Sequence, residues 1–277
     1  MKYLRIKAEG AGAGGSYGIM EGEYVSIIKN SPLSGKPETT GEKVHFEEVK
    51  AFLPPVDAPN IIALGLNYRE HAKESNMALP PAPVVFLKAV TALTGHLGQI
   101  FLPAEAPDFV DYEAELTIVI GKRAKNVPEE KASEYILGYT CGNDVSARDC
   151  QMKIDRQWAR AKSFDTFAPV GPWIVTGINP GNLRIQSKVN GAVMQDSSTS
   201  DMIFSVPEIV AYLSRQMTLL PGTLIMAGTP SGVGFAKNPQ VFLREGDTVE
   251  IDIEGVGILK NTVRSEQPVT VLSAGYA

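Results

Sequence analysis

The chain has 277 residues, 44% of them hydrophobic and 21% charged, which is the balance of an ordinary globular protein and excludes disordered, collagenous and membrane-embedded classes. With 26 Lys+Arg against 31 Asp+Glu the net charge is -5, so no global positive field gathers nucleic acid or anionic lipid. Lys2, Arg5 and Lys7 interrupt the first apolar residues before a secretory core could form, and no run reaches the ~18 apolar residues of a membrane span. These features predict a cytoplasmic protein with neither nucleic acid nor membrane as partner.

In chain order, residues 1–57 read as a small β-rich domain with strands at 3–7 and 24–28 around a Ser, Gly, Pro and Thr-rich loop at 30–43. Gly10, Gly12 and Gly15 fit the G-x-G-x-x-G string of dinucleotide-binding folds. Residues 17–22 after them read as strand and turn, with no helix N-terminus to hold a pyrophosphate, so a flexible hairpin is the better reading. Pro54, Pro55 and Pro59 resist helix and mark an extended linker before Ile61-Ile62-Ala63-Leu64. Residues 58–277 then form the larger domain.

Within that larger domain, strands are expected at 83–88, 114–120, 173–175, 183–189, 223–227 and 248–253, and Asn190-Gly191 has the composition of a type I′ hairpin turn. A short helical segment covers 68–75. The clearest helix begins at Ser205, where Ser-x-x-Glu through Glu208 makes a capping box, and it should run to Leu220 before Pro221-Gly222. The fold class is therefore α+β and β-rich, largely antiparallel. Gly228 to Gly234 lacks the Gly-Lys-Ser/Thr ending of a phosphate-binding loop. Cys141 and Cys150 lack the spacing of a redox pair or zinc cluster and read as buried free thiols, and no His lies on the segment after Cys150 to make it a nucleophile.

Glu113 and Glu115 are two apart, so on a strand both carboxylates leave one face, while Ala114, Leu116, Ile118 and Ile120 occupy the other. An isolated Glu-x-Glu is more often a solvated strand face. Asp144 lies just past the apolar segment 135–141, where a strand end could bring a third carboxylate beside the first two. Three carboxylates with water suit octahedral Mg²⁺ or Mn²⁺ better than zinc. His71 and Glu74 are three apart on the short helix, a spacing that serves either general acid/base work or a local surface ion pair. His45 and His96 show no such pairing and read as structural. Arg148, four residues after Asp144, and Lys162, among apolar and aromatic residues, are candidate buried cations for a carboxylate and a developing oxyanion.

Taken in order, Gly65-Leu66-Asn67-Tyr68 with His71 and Glu74, Phe86-Leu87-Lys88, Asp111-Tyr112-Glu113-Ala114-Glu115-Leu116, Gly142-Asn143-Asp144-Val145-Ser146-Ala147-Arg148-Asp149 and Ala161-Lys162-Ser163-Phe164-Asp165 resemble the fumarylacetoacetate hydrolase family. Ser198 to Phe204 and Gly228 to Gly234 match as well, so the likeness spans residues 60–263. The resemblance implies a mixed β-roll or sandwich catalytic domain carrying a small N-terminal domain, usually as a homodimer. It implies Glu113, Glu115 and Asp144 as ligands of Mg²⁺ or Mn²⁺, with Ca²⁺ as an in vitro substitute, holding the 1-carboxylate and 2-oxo oxygens of a small 2-oxo acid. His71 and Glu74 match the family's water-activating pair on a lid segment. Lys162 would support the developing charge, and Lys88, Arg148, Gln151 and Thr229 would hold substrate.

For an acylpyruvate-like 2,4-dioxo acid the resemblance implies hydrolysis of the C3–C4 bond to a carboxylic acid and pyruvate enolate. The family also contains oxaloacetate decarboxylases and 2-hydroxyhepta-2,4-diene-1,7-dioate isomerases, which are the alternative expectation. A non-enzymatic binding protein fits less well, because ligands, pair and cations are all present. One departure is Ala89-Val90 where many relatives carry Pro-Ser, which predicts a more apolar pocket wall.

Overall fold

A computed structural model describes residues 1–7 and 14–266, so Gly10 and Gly12 of the glycine string lie outside the described residues. The strands in the first part of the chain are β1 (Lys2–Ile6), β2 (Ser16–Glu21), β3 (Tyr24–Ile28), β4 (Thr39–His45), β5 (Phe52–Leu53) and β6 (Ile61–Leu64). After helix α1 (Arg69–Glu74) come β7 (Val85–Lys88), β8 (Leu93–Thr94), β9 (Gln99–Leu102), β10 (Val110–Asp111), β11 (Ala114–Ile120), β12 (Ile136–Asn143), β13 (Ser146–Ala147) and β14 (Ala168–Val175). The chain continues through β15 (Arg184–Val189), β16 (Ala192–Ser198), helix α2 (Val206–Gln216), β17 (Leu224–Met226), β18 (Thr248–Ile253) and β19 (Gly257–Ser265).

A 12-stranded sheet runs in the order β4-β3-β2-β1-β14-β12-β11-β17-β6-β7, with β5 on β1 and β8 on β14. A 5-stranded sheet, β16-β15-β18-β19-β9, packs its central strands against β11, β12 and β14. Two faced sheets with few helices are the β-rich α+β arrangement expected. Most pairings are antiparallel, but β6 with β17, β8 with β14 and β9 with β19 run parallel. Those three pairings join segments far apart in sequence, so local patterning could not reveal them.

All seven residues of β11 are buried, because the strand sits mid-sheet with the second sheet over one face. The reading of Glu113 and Glu115 as a solvated strand face is thereby overturned: a carboxylate carried into this core needs a compensating charge. The N-terminal strands have a core of their own in Leu4, Ile6, Val25, Ile27 and Phe52. Their backbone is nonetheless continuous with the larger sheet, Lys2 pairing with Val175. Part of the 30–43 segment read as loop is strand, since β4 starts at Thr39 and pairs with β3.

At the Asn190-Gly191 turn φ is 52° and 80°, the positive values a type I′ hairpin requires. The capping box at α2 forms as expected, Glu208 Oε2 accepting from the Ser205 N–H at 2.7 Å. The helix ends at Gln216, short of Leu220, because Met217 turns extended and Leu219 exchanges backbone hydrogen bonds with Ala124. Tertiary pairing outweighs the apolar periodicity there. Among the described residues no helix is long and apolar enough to cross a membrane.

Cys141 and Cys150 are both buried and free, and burial pushes both thiols up, away from nucleophilic character. His45 and His96 serve structure. His45 Nδ1 accepts from the Glu47 N–H at 3.4 Å, and His96 Nδ1 accepts from the Lys260 N–H at 3.1 Å. Burial, helped by Lys260, lowers His96 from 6.5 to about 4. Below pH 6.5 the unfolded chain therefore binds a proton that the folded chain refuses until about pH 4. Stability from this group is complete above pH 6.5 and falls as pH drops through that window. Urea midpoints measured across the window should decline less steeply in His96→Asn, which keeps an acceptor but cannot titrate.

Candidate active site

The site is built where three strand ends meet. β11 begins beside Glu113, β12 ends just before Asp144, and β17 runs into the Gly228 loop. Ala114 pairs with Asn143, and the Asp144 N–H donates to the Glu113 carbonyl at 3.0 Å, so the backbone itself places these two acids together. Carboxylate oxygens of Glu113, Glu115 and Asp144 all lie within 4.8 Å of one another, and the three residues are buried.

Cations ring this cluster. Lys162 Nζ donates to Glu113 Oε2 and Asp144 Oδ2, each at 2.7 Å. Lys88 Nζ donates to Asp144 Oδ1 from behind, and to the Val145 carbonyl at 3.3 Å. Arg148 reaches Glu113 Oε1 at 2.7 Å and Asp111 Oδ2 at 2.8 Å, and donates to Gln151 Oε1 at 2.8 Å. Burial opposes ionisation of Glu113, but Lys162 and Arg148 outweigh it and hold the carboxyl at about 2. Burial likewise opposes charge on Lys162, and Asp144 and Glu113 more than offset it, raising that lysine.

Glu115 differs from its two neighbours. Its Oε2 accepts from the Gly228 N–H at 2.8 Å, but Oε1 is buried with no hydrogen-bond partner. Burial first, then Asp144 and Glu113, push its carboxyl well above the ordinary range. An orphaned, buried oxygen on a carboxyl grouped with two others is what a small divalent cation would satisfy, and an all-oxygen donor set with neither His nor Cys matches a hard ion. The residues therefore fit a metal ion of that class, with Glu113, Glu115 and Asp144 as the group that could hold it.

His71 and Glu74 come from α1, His71 Nδ1 standing 3.1 Å from Glu74 Oε2. Glu74 Oε1 accepts from the Gly232 N–H at 2.9 Å, tying the helix to the Gly228 loop. Burial works against ionisation of Glu74, but hydrogen bonds from His71 and Gly232 with the charges of His71 and Lys237 leave it below its usual value. It is an anion at neutral pH. Arg69 and the Glu70 N–H reach Met202 and Asp201, which seats the other side of α1.

A cavity of about 450 Å³ joins these groups, lined by His71, Glu74, Glu113, Arg148, Gln151, Lys162 and Thr229 with apolar residues toward its mouth. Lys88 stands behind Asp144 rather than on the lining, and the Thr229 hydroxyl is turned inward, donating to the Ala114 carbonyl at 3.0 Å and accepting from Gln195 Nε2 at 2.8 Å. The expected apolar wall at Ala89-Val90 is not part of this cavity, because Val90 is exposed and faces away near Arg5 and Leu93.

Residues 60–264 match the family model for the fumarylacetoacetate (FAA) hydrolase C-terminal region, and residues 1–55 match an Rv2993c-like N-terminal model. The chain belongs to the fumarylacetoacetate hydrolase family. A protein of Archaeoglobus fulgidus is 52% identical over 222 residues, covering 80% of this chain and 85% of its own. The rat mitochondrial oxaloacetate tautomerase Fahd2a is 42% identical over 216 residues, covering 76% of this chain and 69% of its own. The crystal structure of a 5-carboxymethyl-2-hydroxymuconate delta-isomerase from Mycobacterium smegmatis superposes with a TM-score of 0.86 at 42% identity, over 96% of this chain and 100% of that one. The protein is thus an enzyme of the fumarylacetoacetate hydrolase family, with a buried acidic triad able to bind metal.

Sequence reasoning missed Asp111, which is fully buried and holds the site's far side together. Its oxygens accept from the N–H groups of Tyr112 at 2.9 Å, Gly234 at 2.8 Å and Phe235 at 3.0 Å, and from Arg148 Nε at 2.8 Å. The available signal was parity, since 111, 113 and 115 are spaced two apart in one run. Asp111→Asn should cost roughly 3 kcal/mol, as expected when a buried charge partner is removed. Urea unfolding would show it, and KM for substrate should rise as Arg148 loses its anchor. Gln195 was missed too. It comes from the other sheet, its Oε1 accepting from the Ala114 N–H at 2.9 Å and its Nε2 donating to Thr229 and Pro230.

Proposed function

We propose that this enzyme is a divalent-metal-dependent hydrolase that cleaves the C3–C4 bond of a small 2,4-dioxo acid of the acylpyruvate kind. The observation that carries the reading is the His71–Glu74 pair, 3.1 Å apart, on the wall of the same cavity as Glu113, Arg148 and Lys162. Hydrolysis needs a base for water beside a group that stabilises the enolate leaving group, and the pairing of His71 with Glu74 near Lys162 supports that reading.

The proposed ion is Mg²⁺ or Mn²⁺, with Ca²⁺ as an in vitro substitute, held by Glu113, Glu115 and Asp144. When bound, it supplies Lewis-acid charge toward the head of the 2-oxo acid. His71, kept in place by anionic Glu74, takes the proton from water as its oxygen attacks the C4 carbonyl carbon. The C3–C4 bond breaks, its electron pair enters the enolate of pyruvate, and a carboxylic acid forms from the acyl part. Protonation at C3 gives pyruvate. Lys162 supports the developing negative charge, and Arg148 with Gln151 orients the carboxylate end.

A second reading, enolate chemistry without water, as tautomerase, decarboxylase or isomerase of an oxaloacetate-like or dienedioate substrate, is favoured by the activities in the names of the rat and mycobacterial relatives. Acetylpyruvate and oxaloacetate assayed side by side with Mg²⁺, Mn²⁺ and EDTA separate the two. Metal-dependent pyruvate release from acetylpyruvate supports the hydrolase; turnover of oxaloacetate alone assigns the second reading.

We also infer a cytoplasmic homodimer that acts on a small molecule, with no nucleic acid or membrane partner. Exposed Leu87 on the edge strand β7, with exposed Val84 just before it, supports the dimer, since apolar side chains on an unpaired strand edge call for cover. Sedimentation equilibrium tests it.

A further inference from the structure

The cavity has two unlike ends. Its inner end carries the acids and cations, and its outer end is apolar, with Phe86, Trp158, Met77, Met152 and Phe235 among the lining residues. Trp158 and Phe86 meet edge to face, centroids 5.6 Å apart at 79°. Gly65 makes room for this indole: a Cβ there would lie 2.8 Å from the Trp158 ring. Met77 and Met152 are more than half exposed and Phe235 is 38% exposed, so three large apolar side chains stand open at one mouth. Methionine and aromatic rings grouped at a cavity entrance make an adaptable apolar shelf.

Charge points the same way. Both cations on the lining are already engaged, Arg148 by Asp111 and Glu113, Lys162 by Glu113 and Asp144. Glu74, also on the lining, is held ionised. Asp111, Glu113, Glu115 and Asp144 formally outnumber Lys88, Arg148 and Lys162 by one negative charge, and Glu74 makes the excess two. A divalent ion would only cancel that excess, leaving no positive charge over for a second carboxylate. Among the described lining residues no cation remains for a second one.

We propose that the substrate beyond its 2-oxo acid head ends in an uncharged, apolar acyl or aryl tail lying on the Phe86, Trp158, Met77, Met152 and Phe235 shelf, and that 2-oxo dicarboxylic acids are discriminated against. This rests on the reading that the 2-oxo acid head sits at Glu113, Glu115 and Asp144. A second carboxylate placed at the shelf would lose water without gaining a cation and would meet the Glu74 charge, whereas each added methylene gains burial.

The test is calorimetric binding of unreactive 2-oxo acids to the Mg²⁺-loaded protein: pyruvate, 2-oxobutanoate, 2-oxopentanoate, 2-oxohexanoate and phenylpyruvate beside 2-oxoglutarate. Affinity should rise about fourfold per methylene, as full burial of each predicts, and 2-oxoglutarate should bind at least about tenfold more weakly than 2-oxopentanoate, one uncompensated buried charge being worth that or more. Trp158→Ala should cut the step to below about twofold. Met152→Lys, a change at an exposed position, should selectively tighten 2-oxoglutarate by about tenfold or more. Magnesium-dependent pyruvate binding with a flat chain-length series, or with 2-oxoglutarate equal to 2-oxopentanoate, overturns the tail assignment alone. Absence of magnesium-dependent binding by every acid overturns the head assignment and the tail with it.

Discussion

Glu115→Gln should make the metal-free protein more stable while abolishing its response to magnesium, and Glu113→Gln should make it less stable. The two residues lie two positions apart in one motif, yet their partners give them opposite signs. Glu113 accepts from Lys162 and Arg148, so its neutralisation leaves two buried cations each short of a carboxylate, costing roughly 3 kcal/mol. Glu115 has one backbone donor, an unpartnered Oε1 and two carboxylate neighbours. Glutamine at 115 keeps an acceptor for the Gly228 N–H and removes the cost of ionising a buried carboxyl beside two others, for a gain of about 1–2 kcal/mol. With EDTA present, thermal unfolding should therefore order the proteins Glu115→Gln, wild type, Glu113→Gln. Saturating Mg²⁺ should stabilise only the wild type, by about 2.7 kcal/mol at a hundredfold excess over Kd. Turnover in both variants should fall by roughly 10³. Equal destabilisation by the two changes would show that Glu115 is not the uncompensated member of the cluster.

How far these partners could be read from the sequence depends on the distance over which each contact acts. The Ser205–Glu208 cap, the Asn190-Gly191 turn and the His71–Glu74 spacing are local, fixed by two to four residues, and all three geometries are present. The pairing of Glu113 with Asp144 was legible as a motif, because both sit at ends of apolar runs that become neighbouring antiparallel strands. The antiparallel pairing of β17 with β11, more than a hundred residues apart, was not, and it is this pairing that brings the Gly228 loop to Glu115. Gln195 arrives from a different sheet, with no spacing relation to the residues it binds. The end of α2 was misplaced because the apolar period continues through Leu220, while Leu219 is claimed by Ala124. Charge partners chosen by tertiary approach, such as Asp111 for Arg148, leave only a parity hint in the chain.

His71→Ala should lower acetylpyruvate cleavage by roughly 10²–10⁴, the range for loss of a general base, with KM changed little. Glu74→Gln should lower it less, by about tenfold to a hundredfold. The amide can still accept from the Gly232 N–H and keep α1 docked, but it carries no negative charge to stabilise the imidazolium that forms as water is deprotonated. The drop in both variants separates proton transfer from mere anchoring of the helix: were the pair only a strap between α1 and the Gly228 loop, both changes would be mild, because the strap hydrogen bond belongs to Glu74 and glutamine keeps it. Oxaloacetate provides the internal control. Loss of CO₂ from it requires the positive charge that a cation held by the acidic triad would supply, with Lys162, but no activated water, so any such turnover should survive His71→Ala within about threefold, while cleavage of the dioxo acid collapses. Stopped-flow measurement of both substrates on the same preparations decides it. Parallel loss of both activities would place His71 in a step common to them, and full retention of acetylpyruvate cleavage would remove it from the chemistry.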